Sequence, residues 1–513
     1  MSHTARAAQD DFQNAALQSY HPGTRCGTRC TATPTILPVH PMALTAEQVV
    51  YSLLAVLVAH YVWLRILNSF RDASDVYLTQ QLVVDTVRNP AESPIYKSNK
   101  LDYLSGLRLG LNIRYDHYKI RNGNMNDVWE IAMSSPKSTI DMYGLTITRG
   151  QLNDAVERVG ELLAELGMEE VSMEQSELFF LENFIVFISC LVKQVPISVY
   201  GAGTTGEKGW GFSKGMFQKG TETIPLPFIP LELQDTTHFA NPYDPSKDKG
   251  ICLKWHYKLN PHVSATTNFT QANVISAIAS TLKHLPADFT FDNSDRLLVV
   301  QDLSSMEHTL AHIVKTLALF IYPTNVVVAN PDSWTKLLAL KPTILAIPLS
   351  KWKTLQPKLS PTEKMAAKIG SYFLSHGIYL PIRKGMRLTY VQSSLNNNAS
   401  IQMKELNRYR ALNSRLILEF GYHNIAGPVL ATDLFDYRTF PFAIKSFGCL
   451  SQSLEYKLTN MDESNNGVIN VRGFTIGKTA FSIQEDKAER NSDGFMPLNL
   501  KGKWGSDGCL YII

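Results

Sequence analysis

Two short stretches of this chain hold the residue types that phosphate and metal chemistry requires. Gly203-Thr204-Thr205-Gly206-Glu207-Lys208-Gly209 joins glycines, whose backbone amides meet an anion without Cβ obstruction, to hydroxyls and a lysine. It departs from the G-x-x-x-x-G-K-[ST] phosphate loop because Gly209 follows Lys208, and Glu207 would bring negative charge to a bound phosphate. Its two readings are a nucleotide-binding loop contacting through Gly203, Thr204, Thr205, Gly206 and Lys208, and a flexible connection. The second stretch, Glu419-Phe420-Gly421-Tyr422-His423-Asn424, is an aromatic-glycine turn closing an apolar run.

The remaining constellations carry less. His308 and His312 stand i,i+4 without the Glu of an H-E-x-x-H site, which reads as a polar helix face. Cys26 and Cys30 have no second pair at zinc spacing, and Cys190, Cys252, Cys449 and Cys509 read as buried thiols of a reducing compartment. There is no Gly-x-Ser-x-Gly elbow, and Asp433, Asp436 and Arg438 read as a loop cluster. No catalytic residue and no metal ligand is assigned.

The elements that must position these residues alternate. Leu152, Val156, Val159, Leu163 and Leu166 recur at helical spacing and end at Gly167, a C-terminal cap signal. Apolar segments at 177–181 and 195–200 flank a helical pattern at 184–192, and residues 201–250 read as an irregular insertion. Alternation resumes with a helix at 269–284, a strand at 296–301, a helix at 306–320, strands at 325–328 and 343–348, and a helical region at 351–375. Strand-like runs at 416–420, 468–471 and 509–513 follow, with Asp507-Gly508 marking a tight hairpin. Strand–helix alternation implies parallel pairing.

The segment 493–512, read with Ser446-Phe447-Gly448-Cys449-Leu450 and the run from Gly467 to Gly473, resembles the closing β-rich part of the large domain of AMP-forming acyl-CoA synthetases, the AMP-dependent synthetase/ligase superfamily. The resemblance implies an α/β fold: two α/β subdomains with parallel sheets and a small C-terminal β-rich subdomain, here with an N-terminal membrane helix. It also implies a nucleotide site, and each of its parts differs in this chain. The family's glycine-rich phosphate loop should lie just before Phe269, yet the run from Tyr257 to Asn268 has no glycine. The resemblance makes Gly421, Tyr422, His423 and Asn424 candidate cofactor contacts, but His423 and Asn424 occupy the positions of the family's Thr and Glu, and a neutral Asn is a weaker ligand for a hard cation than a carboxylate. Leu500 takes the position of the Asp that grips the ribose, and Lys503 that of an Arg at the hinge. The family's mobile C-terminal domain, which carries the catalytic Lys, would begin where the sequence stops at Ile513.

The expectation is therefore a degenerate member without ATP or magnesium, serving as a scaffold, as a regulator of an active synthetase, or as a binder of an acyl or lipid ligand in lipid metabolism. The alternative is an active acyl-CoA ligase that uses ATP and Mg at a membrane surface, with Gly203–Gly209 as its phosphate loop.

At 513 residues the chain is long enough for more than one core. With 49 basic and 46 acidic residues its net charge is +3, which gives no nucleic-acid signal. Residues 1–43 show no sustained period and read as disordered. Residues 44–68 include VVYSLLAVLVAHYVWLRIL and reach the ~20 apolar residues that a bilayer requires. Arg65 and Arg71 follow this run, so a single span is expected with the body facing the cytoplasm, at the endoplasmic reticulum. Residues 69–135 read as a juxtamembrane connector, in which Lys97, Lys100, Arg108, Arg114, Lys119 and Arg121 interleave with tyrosines, and residues 136–513 as the large domain. That belt has two readings, a packed surface or a lipid-binding patch.

Overall fold

The computed structural model describes residues 45–85, 89–101, 106–114, 117, 119–204, 209–228, 230–238, 250–302, 305–394, 401–439, 446–481 and 493–513. Helix Ala46–Ser69 is long and apolar enough to cross a membrane. By length and composition it fits a span or a signal sequence.

The body, Leu64–Ile513, is built on two large sheets, with a short two-stranded ribbon of Ile113–Arg114 and Ile120–Arg121. In the larger one, parallel strands lie in the order Arg415–Gly421, Leu388–Ser394, Ile344–Pro348, Arg296–Val300, Asn325–Ala329 and Thr139–Met142. Their apolar runs are continuous because both faces are covered. Leu297, Val299, Val326 and Val328 enter one core, and Leu298, Val300, Val327 and Leu345 the other. Helix Met306–Phe320 lies in the first core, buried on every side. Helices Trp334–Ala339, Leu349–Leu355 and Met403–Leu412 supply Trp334, Trp352 and Tyr409 to the second. Beyond Arg415–Gly421 the sheet turns antiparallel, through Pro428–Ala431, Ser446–Leu450, Leu510–Ile512, Met496–Trp504, Asn466–Gly473 and Leu454–Thr459. This is the β-rich C-terminal part.

In the second sheet, Val171–Glu174, Ile197–Tyr200 and Ile251–Asn260 run parallel. Ile251–Asn260 then forms a long hairpin with Val263–Thr270, beside which lies Lys478–Phe481. Helix Gln271–His284 follows, with a capping box in which Thr270 Oγ1 accepts from Asn273 N and the Asn273 side chain accepts from Thr270 N.

The structure corrects three expectations. The first strand of this half is Val171–Glu174, and residues 177–181 instead hold the end of a 3-10 turn, Gln175–Glu177, and the start of helix Leu181–Val192. The stretch 201–250 is not simply irregular, since Trp210–Ser213, Met216–Lys219 and Glu222–Pro225 form a meander on the sheet edge. The helical region 351–375 is two helices, Leu349–Leu355 and Pro361–Ser375, the second opened by Ser360 as N-cap with Pro361 at N1.

Residues 69–135 are woven into the body. Strands Leu82–Val84 and Tyr96–Ser98 extend the C-terminal sheet, with Tyr96 opposite Tyr456. Lys100 forms an ion pair of 2.6 Å with the buried Asp433, Lys97 pairs with Asp85 and Glu455, and Arg108 is buried. Arg121 pairs with Asp127 at the cap of helix Met125–Met133, whose Met125, Val128 and Trp129 are fully buried. These contacts favour the packed reading of the basic-tyrosine belt.

Candidate functional site

In open α/β sheets, ligands bind outside the carboxyl ends of the strands. Here those ends are Val300, Pro348, Ser394 and Gly421, joined through neighbouring registers. Side chains at this edge are polar and buried yet poorly satisfied. Both amide atoms of Gln301 and of Gln392, and Ser394 Oγ, have no hydrogen-bond partner among the described residues. The ring nitrogens of His308 and His312 make no hydrogen bond to any described residue either; His308 Nδ1 lies 3.6 Å from Asp302 Oδ2, which accepts from Ser350 Oγ. A buried polar group left unmatched costs ~1–3 kcal/mol, so a cluster of them marks a place where further groups must complete the bonding. His312 is held neutral, well below its ordinary pKa, chiefly by burial and then by His308 and Lys315. The two histidines are thus interior groups rather than the polar helix face expected of them.

Under this edge lies an ion pair. Lys315 Nζ sits 2.6 Å from Glu419 Oε2 and 4.2 Å from the centre of the Tyr390 ring, with both charges buried.

The aromatic-glycine turn forms one wall. Gly421 lies so close to helix Met306–Phe320 that a Cβ there would stand 3.3 Å from Glu307 Cβ. Tyr422 donates from its hydroxyl to Leu498 O at 2.7 Å. His423 packs against Tyr422 and Tyr257, and burial outweighs the nearby Glu307 to push its pKa down to about 4, leaving a neutral ring. Asn424 points its amide at Met496 Sδ, 3.2 Å away, and its Oδ1 is buried without a partner. Gly421, Tyr422, His423 and Asn424 are therefore neutral or inward-turned, and none offers a charged oxygen to a hard cation.

The hairpin Ile251–Asn260/Val263–Thr270 stands where the family resemblance would place a phosphate loop. Pairing continues to Asn260 opposite Val263, leaving Pro261-His262 as the turn. Asn260 Oδ1 accepts from both His262 N, at 2.9 Å, and Val263 N, at 2.8 Å. The amides that would face an anion are already used, and Pro261 has none to offer. Leu500 is buried among the apolar residues of the C-terminal sheet, and Lys503 is exposed opposite Asn466.

The early glycine stretch comes next to this hairpin in space. Gly201 N donates to His256 O at 2.8 Å, and Gly203, at φ +77°, lies beside the Lys258 ammonium, 3.1 Å from where a Cβ would stand. Thr204 Oγ1 donates to Gly201 O at 2.7 Å. Thr205, Gly206, Glu207 and Lys208 lie outside the described residues, as do Cys26 and Cys30. Among the described residues no group of three or more His, Cys, Asp or Glu has metal-site geometry.

Asp433, Asp436 and Arg438 are a structural clamp. Asp433 accepts from Lys100 and from Tyr77 Oη, while Arg438 pairs at 2.5 Å with both Asp436 and Asp507. The sequence reading missed Gln301, Gln392 and Ser394. Their signal was available, because each is a polar residue closing a buried strand, in LLVVQ and TYVQSS.

No family model matches the chain. It is 25% identical over 557 residues to the putative uncharacterized protein YHR045W of Saccharomyces cerevisiae (strain ATCC 204508 / S288c), covering 91% of this chain and 98% of the yeast one. Among solved structures it is similar to o-succinylbenzoate CoA synthetase of Bacillus subtilis in complex with its acyl-adenylate intermediate, with a TM-score of 0.54 and 14% identity over 75% of this chain and 98% of that one. It is also similar to the luciferase-like enzyme of the mealworm Zophobas morio, with a TM-score of 0.52 and 13% identity over 79% and 98%. The nonribosomal peptide synthetase FmoA3, in its AMPPNP-bound form, aligns with a TM-score of 0.55 and 14% identity over 76% of this chain and 42% of its own length. The sheet order, the hairpin and the closing β-rich part together give this chain the fold of the large domain of the AMP-dependent synthetases and ligases.

Proposed function

We propose that this chain is a membrane-anchored, catalytically degenerate relative of the adenylate-forming ligases, and that its retained cleft binds an uncharged acyl- or lipid-type ligand as a carrier or regulator in lipid metabolism. The observation that carries this reading is the Asn260 turn, which consumes the amides a phosphate would need. Leu500 and the inward-turned Asn424 support it, because neither offers an anchor to ribose or metal. The unmatched amides of Gln301 and Gln392 suit a neutral hydrogen-bonding ligand better than a triphosphate.

The test is ATP–pyrophosphate exchange across a fatty-acid panel, together with thermal shift in Mg-ATP. A ligand binding only the native state adds ~2.7 kcal/mol at a hundredfold excess over its Kd, which a melt reads easily. The expected outcome is no exchange and no shift, with a lipid-type ligand retained in native mass spectra after mild extraction. One observation favours a second reading, an active acyl-CoA ligase: Gly203 lies against Lys258, which puts the glycine-rich stretch beside the hairpin. A Mg-ATP shift and exchange activity that both vanish on Lys208→Ala would establish that reading and overturn the first.

A further inference from the structure

Helix Pro361–Ser375 has two apolar faces, and its fold uses one of them. Ala367, Gly370 and Leu374 face the body, and Gly370 approaches helix Met403–Leu412 so closely that a Cβ would stand 2.7 Å from Ala411 Cβ. On the opposite side, Met365, Ile369 and Tyr372, at i, i+4 and i+7, are exposed, the first two by 62% and 55%. Lys364 and Lys368 lie exposed along one flank of this stripe. The chain that follows adds the exposed Leu380 and Ile382 and the exposed Lys384.

Apolar residues at helical spacing on a face turned away from the core call for an occupant, and the place of this face in the chain says which one. Arg71 Nε donates to His376 O at 2.9 Å, and Asp72 N to Gly377 O at 2.9 Å, at the C-terminal end of the same helix. Arg71 and Asp72 directly follow the apolar helix Ala46–Ser69, and Phe70 between them is exposed. Asp72 is held in turn by Tyr437 Oη at 2.8 Å and by Arg415. The residues leaving the apolar helix are thus fastened to the end of the helix that carries the exposed stripe.

We propose that the Met365/Ile369/Tyr372 face, with Leu380 and Ile382, lies in the interfacial layer of an anionic bilayer, with Lys364, Lys368 and Lys384 among its headgroups. This inference rests on the reading of Ala46–Ser69 as a membrane anchor. An amphipathic helix with apolar residues between lysines is the pattern that settles at the headgroup–acyl boundary. Each lysine near an anionic surface strengthens such contact appreciably. The body would then be held at two points, the anchor and this face, which fixes its tilt on the membrane. The second contact forms intramolecularly once the first is made.

The experiment uses the full chain in vesicles containing about one third anionic lipid and an acyl-chain diazirine phospholipid, with adducts mapped by peptide mass spectrometry. Adducts are expected on residues 46–69 and on residues 361–384. Met365→Asp with Ile369→Asp should abolish the second set and leave the first, with the melting temperature of the variant confirming that the body is folded. Lys364→Gln with Lys368→Gln should reduce the second set about fivefold or more. Adducts on 46–69 alone overturn the proposal while upholding the anchor. Adducts on 361–384 alone support the face and remove the anchor. A second set insensitive to the aspartate substitutions, or unchanged in purely zwitterionic vesicles, also overturns the proposal.

Discussion

The Lys315–Glu419 pair provides a quantitative test of how the sheet beneath the strand ends is held. The charges approach to 2.6 Å, and almost none of either side chain reaches solvent. At an effective dielectric constant of about 20, that separation corresponds to about 6 kcal/mol of attraction, much of it offset by desolvation. Removing one partner is a different operation, because it leaves the other charge buried and unmatched, at a cost of ~3–5 kcal/mol. The unfolding entropy of a body of about 450 residues is of the order of 1 kcal/mol per degree, so Glu419→Gln or Lys315→Met should lower the melting temperature by about 3–5 °C. The double variant Lys315→Met/Glu419→Leu removes both charges and retains most of the volume, and should lie within about 2 °C of the parent. Scanning calorimetry of the detergent-solubilised full chain reads all three. If Glu419→Gln shifts the midpoint by less than a degree, or if the double variant loses the sum of the singles, the pair is not the buried, mutually dependent unit described above.

Acid should destabilise the protein between pH 6.5 and 4. Burial holds both His284 and His423 neutral with pKa values near 4, whereas in the unfolded chain they take up a proton below about 6.5. Unfolding therefore binds protons across that window, and stability falls as the pH drops, by about 3 kcal/mol for each histidine at the lower end. Melts at stepped pH check this, and His423→Phe should flatten the slope by its share. Arg149 donates to Phe320 O, Leu319 O and Thr324 O from a fully buried position, so Arg149→Met should cost about 3 kcal/mol, read as a lowered midpoint in the same calorimeter. Gly370→Leu overpacks the contact with Ala411 and should cost about 1–3 kcal/mol, partly recovered by adding Ala411→Gly; an unchanged midpoint would mean that the helices do not approach as described.

The legible parts of this sequence were those in which local and tertiary signals agree. Helix Met306–Phe320 was read to the residue because Ser305 caps it, through His308 N, and apolar residues run its full length. The buried strands Arg296–Val300 and Ile344–Pro348 announce themselves as unbroken apolar runs. The meander at 210–225 was missed because its strands are four residues long and its information lies in the turns. Lys214 and Gly215 both take positive φ, as the turn between paired strands requires, and lysine is not the residue that usually signals such a turn. Residues 177–181 were misread because Phe179 is core without being strand, being packed against Phe184 of the helix that follows. At the site, the absence of glycine from residues 257–268 was visible in the sequence, but the use made of Asn260 was not, since an Asx turn is a matter of geometry. His308 and His312 were read as a surface pair because periodicity alone cannot tell that a helix is covered on all sides.

The pairing of Tyr96 with Tyr456 sets a timetable for making the protein. The strand Tyr96–Ser98 finds its neighbour only after some 360 further residues have been synthesised, which at ~5–20 residues per second takes about 20–70 s. Through that interval Leu82–Val84 and Tyr96–Ser98 have each other but no sheet to join, and Lys100 waits equally long for Asp433. The apolar helix Ala46–Ser69 precedes them and can be delivered to its destination early. The body would thus complete itself long after its first strands are made, and a ribosome stalled before residue 454 would leave an unpaired β-edge, a substrate for chaperones or for aggregation.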